Sequence, residues 1–221
     1  MFIEALVIQA DDPAILMQYY RQVLELPVEM EAGGGGTVRF GASRLTVEPA
    51  PRGTHPRYHF ACNIPLNRVE AARDWLQPRT GLHPIPPGRA YIAEFTGWAA
   101  RSVYFSDPAG NIVELIGRQG LDDATEEPFT SMLIRNISEA GLVFPPDLYE
   151  TAVCSLQADY ELPVFARQVP LPGFRALGDD QGLFICVTEN RPWFPTADQY
   201  AQICPLRIRF RQGRQSYKLT L

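Results

Sequence analysis

The stretch FSDPAGNIVELIGR, residues 105–118, combines a tight turn with an acid on an otherwise apolar run. The letters DPAGN are typical of a turn, and the run that follows them is rich in β-forming residues. Glu114 lies inside that run, where an unpaired charge would be costly to bury. The stretch therefore predicts two strands joined by a turn, with one carboxylate that needs a partner or a function.

The same stretch closes a unit of one strand, one helix and three strands. The unit starts with the strand YHFACNIP and the helix LNRVEAARDWLQ, and ends with GRAYIAEF, RSVYFSD and NIVELIGR. An equivalent order precedes it: FIEALVIQA, DDPAILMQYYRQVLEL, PVEMEA, GTVRFG and SRLTVEPA. Two βαβββ modules are thus predicted in residues 1–118.

A third copy follows the polar stretch RQGLDDATEEP. Its segments are NISEAGLVF, PDLYETAVCSLQADYEL, PVFARQ, GFRALGD and GLFICVTE, and beyond them lie PWFPTADQYAQICP and a late strand, LRIRFRQG. We therefore predict an α+β protein with two paired modules in residues 1–118, a linker in 119–128, and a third module with an extension in 129–221.

Aligned modules place polar side chains in register. The first strands of the three modules carry Glu4, His59 and Glu139. Each lies eight positions before a polar residue at the expected helix start, which is Asp12, Asn67 and Asp147, respectively. The last strands align Glu48, Glu114 and Cys186. Four candidate ligands thus come from the first two modules. Because Cys186 replaces a carboxylate, a second complete site with Glu139 is not expected.

The turn stretch, the strand YHFACNIP and the repeat resemble the vicinal oxygen chelate superfamily, which includes glyoxalases, bleomycin resistance proteins and extradiol dioxygenases. FSDPAGNIVELI is similar to its F-x-D-P-x-G-N-x-x-E-L signature. The resemblance implies a curled sheet from paired modules and one divalent ion held by Glu4, Glu48, His59 and Glu114. One imidazole and three carboxylates suit Zn, Ni, Mn, Fe or Mg.

Three functions follow as hypotheses. The first is a metal-dependent lyase or isomerase acting on a small molecule with vicinal oxygens through an enediolate, with Glu4 or Glu48 as the catalytic base. The second is a non-catalytic small-molecule binding or resistance protein. The third is an Fe(II) extradiol dioxygenase, which the single histidine disfavours. Structural explanations stay open beside these, since Glu114 could pair with an arginine and Glu48 could end its strand in water.

Composition narrows the setting of the protein. Its 221 residues carry a net charge of −5 with dispersed basic residues, which argues against nucleic acid as a partner. No signal peptide and no apolar run of membrane-spanning length is evident, so we expect a cytoplasmic protein without membrane contact. The unpaired third module predicts a homodimer, unless LRIRFRQG and the Trp193 loop cover its sheet edge.

Overall fold

The computed structural model describes residues 1–31, 33–169 and 171–221. These residues form three α-helices and two mixed, curled sheets, which confirms the predicted α+β class and repeated modules. The first module contains β1 (Phe2–Ala10), α1 (Pro13–Gln22), β2 (Val28–Met30), β3 (Gly36–Phe40) and β4 (Ser43–Pro49).

Helix α1 begins as its sequence predicts. The side chain of Asp12 accepts a hydrogen bond of 3.0 Å from the backbone N–H of Ile15, and Pro13 occupies the first helical turn. The caps predicted at Asn67 and Asp147 are wrong, because the later helices are preceded by Arg68 and Leu148, without side-chain caps.

The second module follows the same order, and the third follows it without one of the three strands after the helix. The second contains β5 (His59–Asn63), α2 (Val69–Leu76), β6 (Ala93–Phe95), β7 (Ala100–Ser106) and β8 (Ile112–Arg118). The third contains β9 (Asn136–Phe144), α3 (Tyr149–Tyr160), β10 (Phe174–Asp179) and β11 (Gly182–Thr188). In place of the strand expected at PVFARQ, the structure has an isolated bridge between Val164 and Leu177.

A closing hairpin of β12 (Arg207–Gln212) and β13 (Gln215–Thr220) completes the chain's sheets. Hydrogen bonds assemble a six-stranded sheet in the order β13-β12-β1-β4-β3-β2 and a seven-stranded sheet in the order β10-β11-β9-β5-β8-β7-β6. The first sheet joins module one to the hairpin, and the second joins modules two and three.

This pairing corrects the expectation that modules one and two share a sheet. Strand β9 pairs antiparallel with β5, so the first strand of the third module finds its partner within the chain. The late strand LRIRFRQG covers β1 of the first module instead. The stated reason for a homodimer is therefore gone, although the dimer itself stays a prediction. Residues 119–128 connect two strands of one sheet, and the division into domains also stays a prediction.

One apolar core lies between the two sheets and their helices. It includes Ile8 of β1, Phe60 of β5 and Leu142 of β9, all essentially inaccessible to water. Burial of such side chains is the main stabilising contribution to a fold of this size. The opposite face of each sheet is left to form a cup. In the described part of the chain, no helix is both long and apolar enough to cross a membrane.

Candidate metal centre

The signature turn fixes the strand that carries Glu114. Asp107 is buried and accepts hydrogen bonds from the Tyr20 hydroxyl at 2.6 Å and from the Asn111 side-chain amide at 2.8 Å. The side-chain oxygen of Asn111 in turn accepts from the backbone N–H of Tyr58, next to β5. The turn residues therefore have a structural purpose: they set β8 in register beside β5.

Three ligand-type side chains meet on neighbouring strands of the seven-stranded sheet. Ala61 of β5 lies opposite Glu114 of β8 on one side and opposite Glu139 of β9 on the other. His59, two residues before Ala61, points to the same face of the sheet. Its Nε2 is 3.8 Å from Glu114 Oε2 and 3.9 Å from Glu139 Oε2, and all three side chains are buried.

His59 is oriented by its second ring nitrogen. Nδ1 lies 3.2 Å from the carbonyl oxygen of Ile112, which can only accept a hydrogen bond, so Nδ1 carries the hydrogen. The lone pair of Nε2 is then directed at the two carboxylates. Burial lowers the pKa of His59 although Glu139 opposes this shift, so the ring stays neutral and able to bind a cation.

Glu139 is compensated by a buried arginine. Arg118, the last residue of β8, is inaccessible to solvent and donates from one guanidinium nitrogen to Glu139 Oε1. Its Nε donates to the side-chain oxygen of Asn63 at 3.2 Å. Since Oε1 is occupied by this bond, Oε2 is the oxygen that Glu139 presents to His59.

Glu114 has no arginine of its own within the described residues. Burial, with the nearby Glu139 as the next cause, raises the pKa of Glu114 to about 8. The side chains of Tyr104 and Ser102 counteract the shift in part. Two buried carboxylates that face each other need either a proton or a cation between them, and this need defines the chemistry of the cluster.

A cavity of about 280 Å³ opens onto the cluster from the sheet's open face. Besides the three ligand-type side chains, its walls are mainly aromatic and aliphatic, and Arg191 is a cation in the lining. The aromatic lining residues are Phe95, Trp98, Tyr104, Phe174, Trp193 and Phe194. Such a lining fits a small, largely apolar ligand with a few polar atoms directed at the cluster.

Trp193 closes one side of the cavity. Its ring centroid is 4.9 Å from that of His59, and the side chain is only 8% exposed. Gly141 makes this possible, because a Cβ at that position would be 2.9 Å from Trp193 Cη2. The neighbouring Phe194 is more exposed and contacts Phe95 and Tyr104.

The structure brings together two of the four expected ligands, His59 and Glu114, but not Glu4 or Glu48. Glu4 lies in the six-stranded sheet, with its carboxylate oxygens 3.1 Å from Arg209 Nε and 3.0 Å from Arg211 Nε. Glu48 pairs with Arg207 at 2.5 Å in that same sheet. The expected set of four is corrected accordingly. Neither glutamate is placed to act as base at the cluster.

The reason for the difference is local as well as topological. A register shift between Ile3 and Ala5 interrupts the alternation of β1, so counting residues from Asp12 does not find the position equivalent to His59. Glu48 lies opposite Gln9, well beyond the middle of β1. Glu139 lies beside His59 and Glu114 instead of Glu4 and Glu48. Its register with His59 was the signal available in the sequence, and the assumed pairing of modules one and two concealed it.

The cluster fits the divalent ion that the resemblance implies. Ligand atoms of His59, Glu114 and Glu139 all lie within 4.8 Å of one another, the only such group with three or more members among the described residues. One neutral imidazole and two carboxylates suit zinc and other first-row divalent ions. The hydrogen bonds of His59 to Ile112 and of Glu139 to Arg118 are outer-shell contacts of the kind that orient metal ligands.

Paired βαβββ modules in a curled sheet define the class: the chain has the vicinal oxygen chelate fold. A candidate dioxygenase from Bacillus subtilis subsp. subtilis str. 168 matches 100% of this chain and 84% of its own, with a TM-score of 0.58 and 15% identity. Glyoxalase I from Zea mays matches 85% and 66%, respectively, with a TM-score of 0.54 and 15% identity. A lactoylglutathione lyase from Agrobacterium tumefaciens matches 55% and 96%, with a TM-score of 0.43 and 18% identity. No protein-family model and no curated protein matches the sequence.

Proposed function

We propose that the protein is a metal-dependent lyase or isomerase of glyoxalase type, which acts on a small molecule with vicinal oxygens. The observation that carries the proposal is the buried cluster of His59, Glu114 and Glu139 at the end of a mainly apolar cavity. These three side chains would hold one divalent ion. When bound, such an ion stabilises negative charge that develops on substrate oxygens.

The residues of the chain have separate tasks in this proposal. The Nδ1–H bond to Ile112 O fixes the His59 ring, and Arg118 holds the carboxylate of Glu139. Glu114 lacks such a clamp, so its carboxylate is the group that accepts a proton from the carbon next to a substrate carbonyl and returns it to the former carbonyl carbon, while the substrate's hydroxyl proton passes to the former carbonyl oxygen. The assignment of the base moves from Glu4 or Glu48 to Glu114.

The cavity wall selects the substrate body. Trp98, Phe174 and Phe194 offer apolar faces, and the closed position of Trp193 limits the entry of water. We expect a small substrate with a planar or branched apolar group, and one anionic substituent of such a substrate would find Arg191. A large, multiply charged peptide conjugate would not fit this small and mainly apolar lining.

Metal analysis tests the proposal. Protein purified without chelator should contain close to one divalent ion per chain, and Zn, Ni, Mn, Fe or Mg added to stripped protein should raise its melting temperature. His59→Ala, Glu114→Gln and Glu139→Gln should each weaken metal binding by more than about 100-fold, since even outer partners of ligands contribute 10–100-fold. The matched control is Glu48→Gln, which removes an exposed glutamate and should leave metal binding unchanged.

Three results would contradict the proposal. If the stripped protein gains no stability from any of these ions, the metal centre does not exist. If metal binds but no α-hydroxy carbonyl compound exchanges its C–H proton with deuterated water, the protein is a binding module and not an isomerase. Oxygen uptake with catechols and Fe(II) would instead identify a dioxygenase.

A further inference from the structure

The open face of the six-stranded sheet carries a row of basic side chains. Strand pairing puts Lys218 of β13 opposite Arg209 of β12, Arg209 opposite Ala5 of β1, Ala5 opposite Arg44 of β4, and Arg44 opposite Arg39 of β3. Four cations and one alanine thus lie in one line across five strands. Adjacent strands are about 4.8 Å apart, so these charges are close neighbours.

The row costs stability where like charges are directly opposite. Arg39 and Arg44 form one such pair, and Arg209 and Lys218 form another. Of these four, only Arg209 has an ion-pair partner in the described part of the chain, Glu4. Six cations and three acids occupy this face, although the whole protein has a net charge of −5: Arg39, Arg44, Arg207, Arg209, Arg211 and Lys218 against Glu4, Glu29 and Glu48.

The shape of this face suits a small ligand. A depression of about 510 Å³ is lined by Arg44, Arg207, Arg209 and Lys218 at its sides. The rest of its lining, here called the floor, contains small or hydroxylated residues, apolar residues and one acid: Ala5, Thr37, Thr46 and Thr220; Val7, Ile208 and Leu219; and Glu29. The hydroxyls of Thr37 and Thr46 are 3.0 Å apart and add hydrogen-bonding groups to the floor.

We propose that this depression, here called the basic cup, binds a small polyanion, a molecule with two or more phosphate or carboxylate groups. Arg44 and Arg209 are two strands apart, about 10 Å along the sheet, so a ligand that reaches both needs more than one anionic group. Guanidinium groups bind phosphate and carboxylate oxygens through charge-assisted, often bidentate hydrogen bonds. The site does not depend on the metal centre, which lies on the other sheet.

The test is calorimetric titration at constant ionic strength with inorganic triphosphate, citrate and inorganic monophosphate. Triphosphate or citrate should bind at least about tenfold more tightly than monophosphate, and their order separates phosphate from carboxylate chemistry. The double variant R44Q/K218Q should lose at least about tenfold in affinity for the preferred polyanion. The charge-matched control R52Q/R89Q removes two exposed arginines that do not line the cup and should lose less than about twofold.

Several outcomes would overturn the proposal. Absence of saturable binding at millimolar polyanion would do so, and so would equal affinity losses in the two double variants. A short single-stranded oligonucleotide that bound more tightly than triphosphate and depended on Arg44 would replace the small polyanion with nucleic acid. Removal of opposed like charges should leave the fold intact. Should R44Q/K218Q unfold nonetheless, the single variant Lys218→Gln on edge strand β13 decides the question.

Discussion

The two sheets carry the same local arrangement with opposite charge. In each, an alanine of a module's first strand lies between the module's parallel last strand and an antiparallel neighbour. Ala61 has Glu114 and Glu139 at its sides, whereas Ala5 has Arg44 and Arg209. The acidic group is buried beneath Trp193, and the basic group is exposed. The same scaffold position therefore carries acidic side chains in one sheet and basic side chains in the other.

The largest expected difference between the two sheets is the loss of stability when an arginine that pairs with a glutamate is replaced. Arg118→Met leaves the buried carboxylate of Glu139 without its partner, and we expect a loss of about 3–5 kcal/mol in unfolding free energy of the metal-free protein. Arg209→Met breaks an exposed pair, and its loss should be below about 1 kcal/mol. Urea unfolding measures both variants, and equal losses would contradict the contrast.

The pH dependence of stability should come from the acidic side of this comparison. The raised pKa of Glu114 means that the folded metal-free protein binds more protons than the unfolded chain between the ordinary glutamate pKa of 4.5 and about 8. Stability therefore falls as pH rises through this window, by up to about 1.4 kcal/mol per pH unit.

The upper part of the window isolates this effect. His59, whose pKa is lowered, works in the opposite direction below its ordinary value of 6.5, and Glu139, Tyr104 and Arg118 also lie close to Glu114. From pH 6.5 to 8 we expect a loss of roughly 2 kcal/mol that Glu114→Gln abolishes. Denaturant unfolding at several pH values, with Glu48→Gln as control, measures it. An unchanged slope in Glu114→Gln would show that another group titrates.

A smaller effect should follow from filling the notch beneath the closing tryptophan. Gly141→Ala places a methyl group against Trp193, so the ring has to shift, at a cost of about 1–2 kcal/mol. Near-ultraviolet circular dichroism should report the displaced ring. Ala5→Ser, the comparable small change in the open cup, should stay within about 0.5 kcal/mol. If Gly141→Ala leaves both stability and spectrum unchanged, Trp193 does not seat on Gly141 as described.

The repeat and the signature stretch were sufficient to predict the module and its fold class. The spacing of apolar residues, the residue types in turns and the Asp12 cap are local properties, so they can be recognised without knowledge of the tertiary structure. The same locality explains why His59 and Glu114 were found together, since both belong to the second module and the signature turn joins their strands.

The remainder of the site depends on which strand edges meet, and local patterns do not contain this information. Three similar modules allow several pairings, and the choice of β9 as the neighbour of β5 brings Glu139 to His59. The partners of Glu4 and Glu48 are arginines of β12, far along the chain, and a register shift in β1 alters the alternation. Cys186, aligned with Glu114 by counting, faces the apolar core instead.

The union of β1 with β12 also sets an order of assembly. Phe2 lies opposite Arg211, so the first strand to be synthesised pairs with one of the last. At 5–20 residues per second, synthesis of the intervening chain takes about 10–40 s, during which the edge of β1 has no partner. Modules two and three complete their joint sheet earlier in translation. If each sheet forms once its strands have been made, the acidic cluster precedes the basic cup, and the β1 edge stays open to other chains or to a chaperone during that interval.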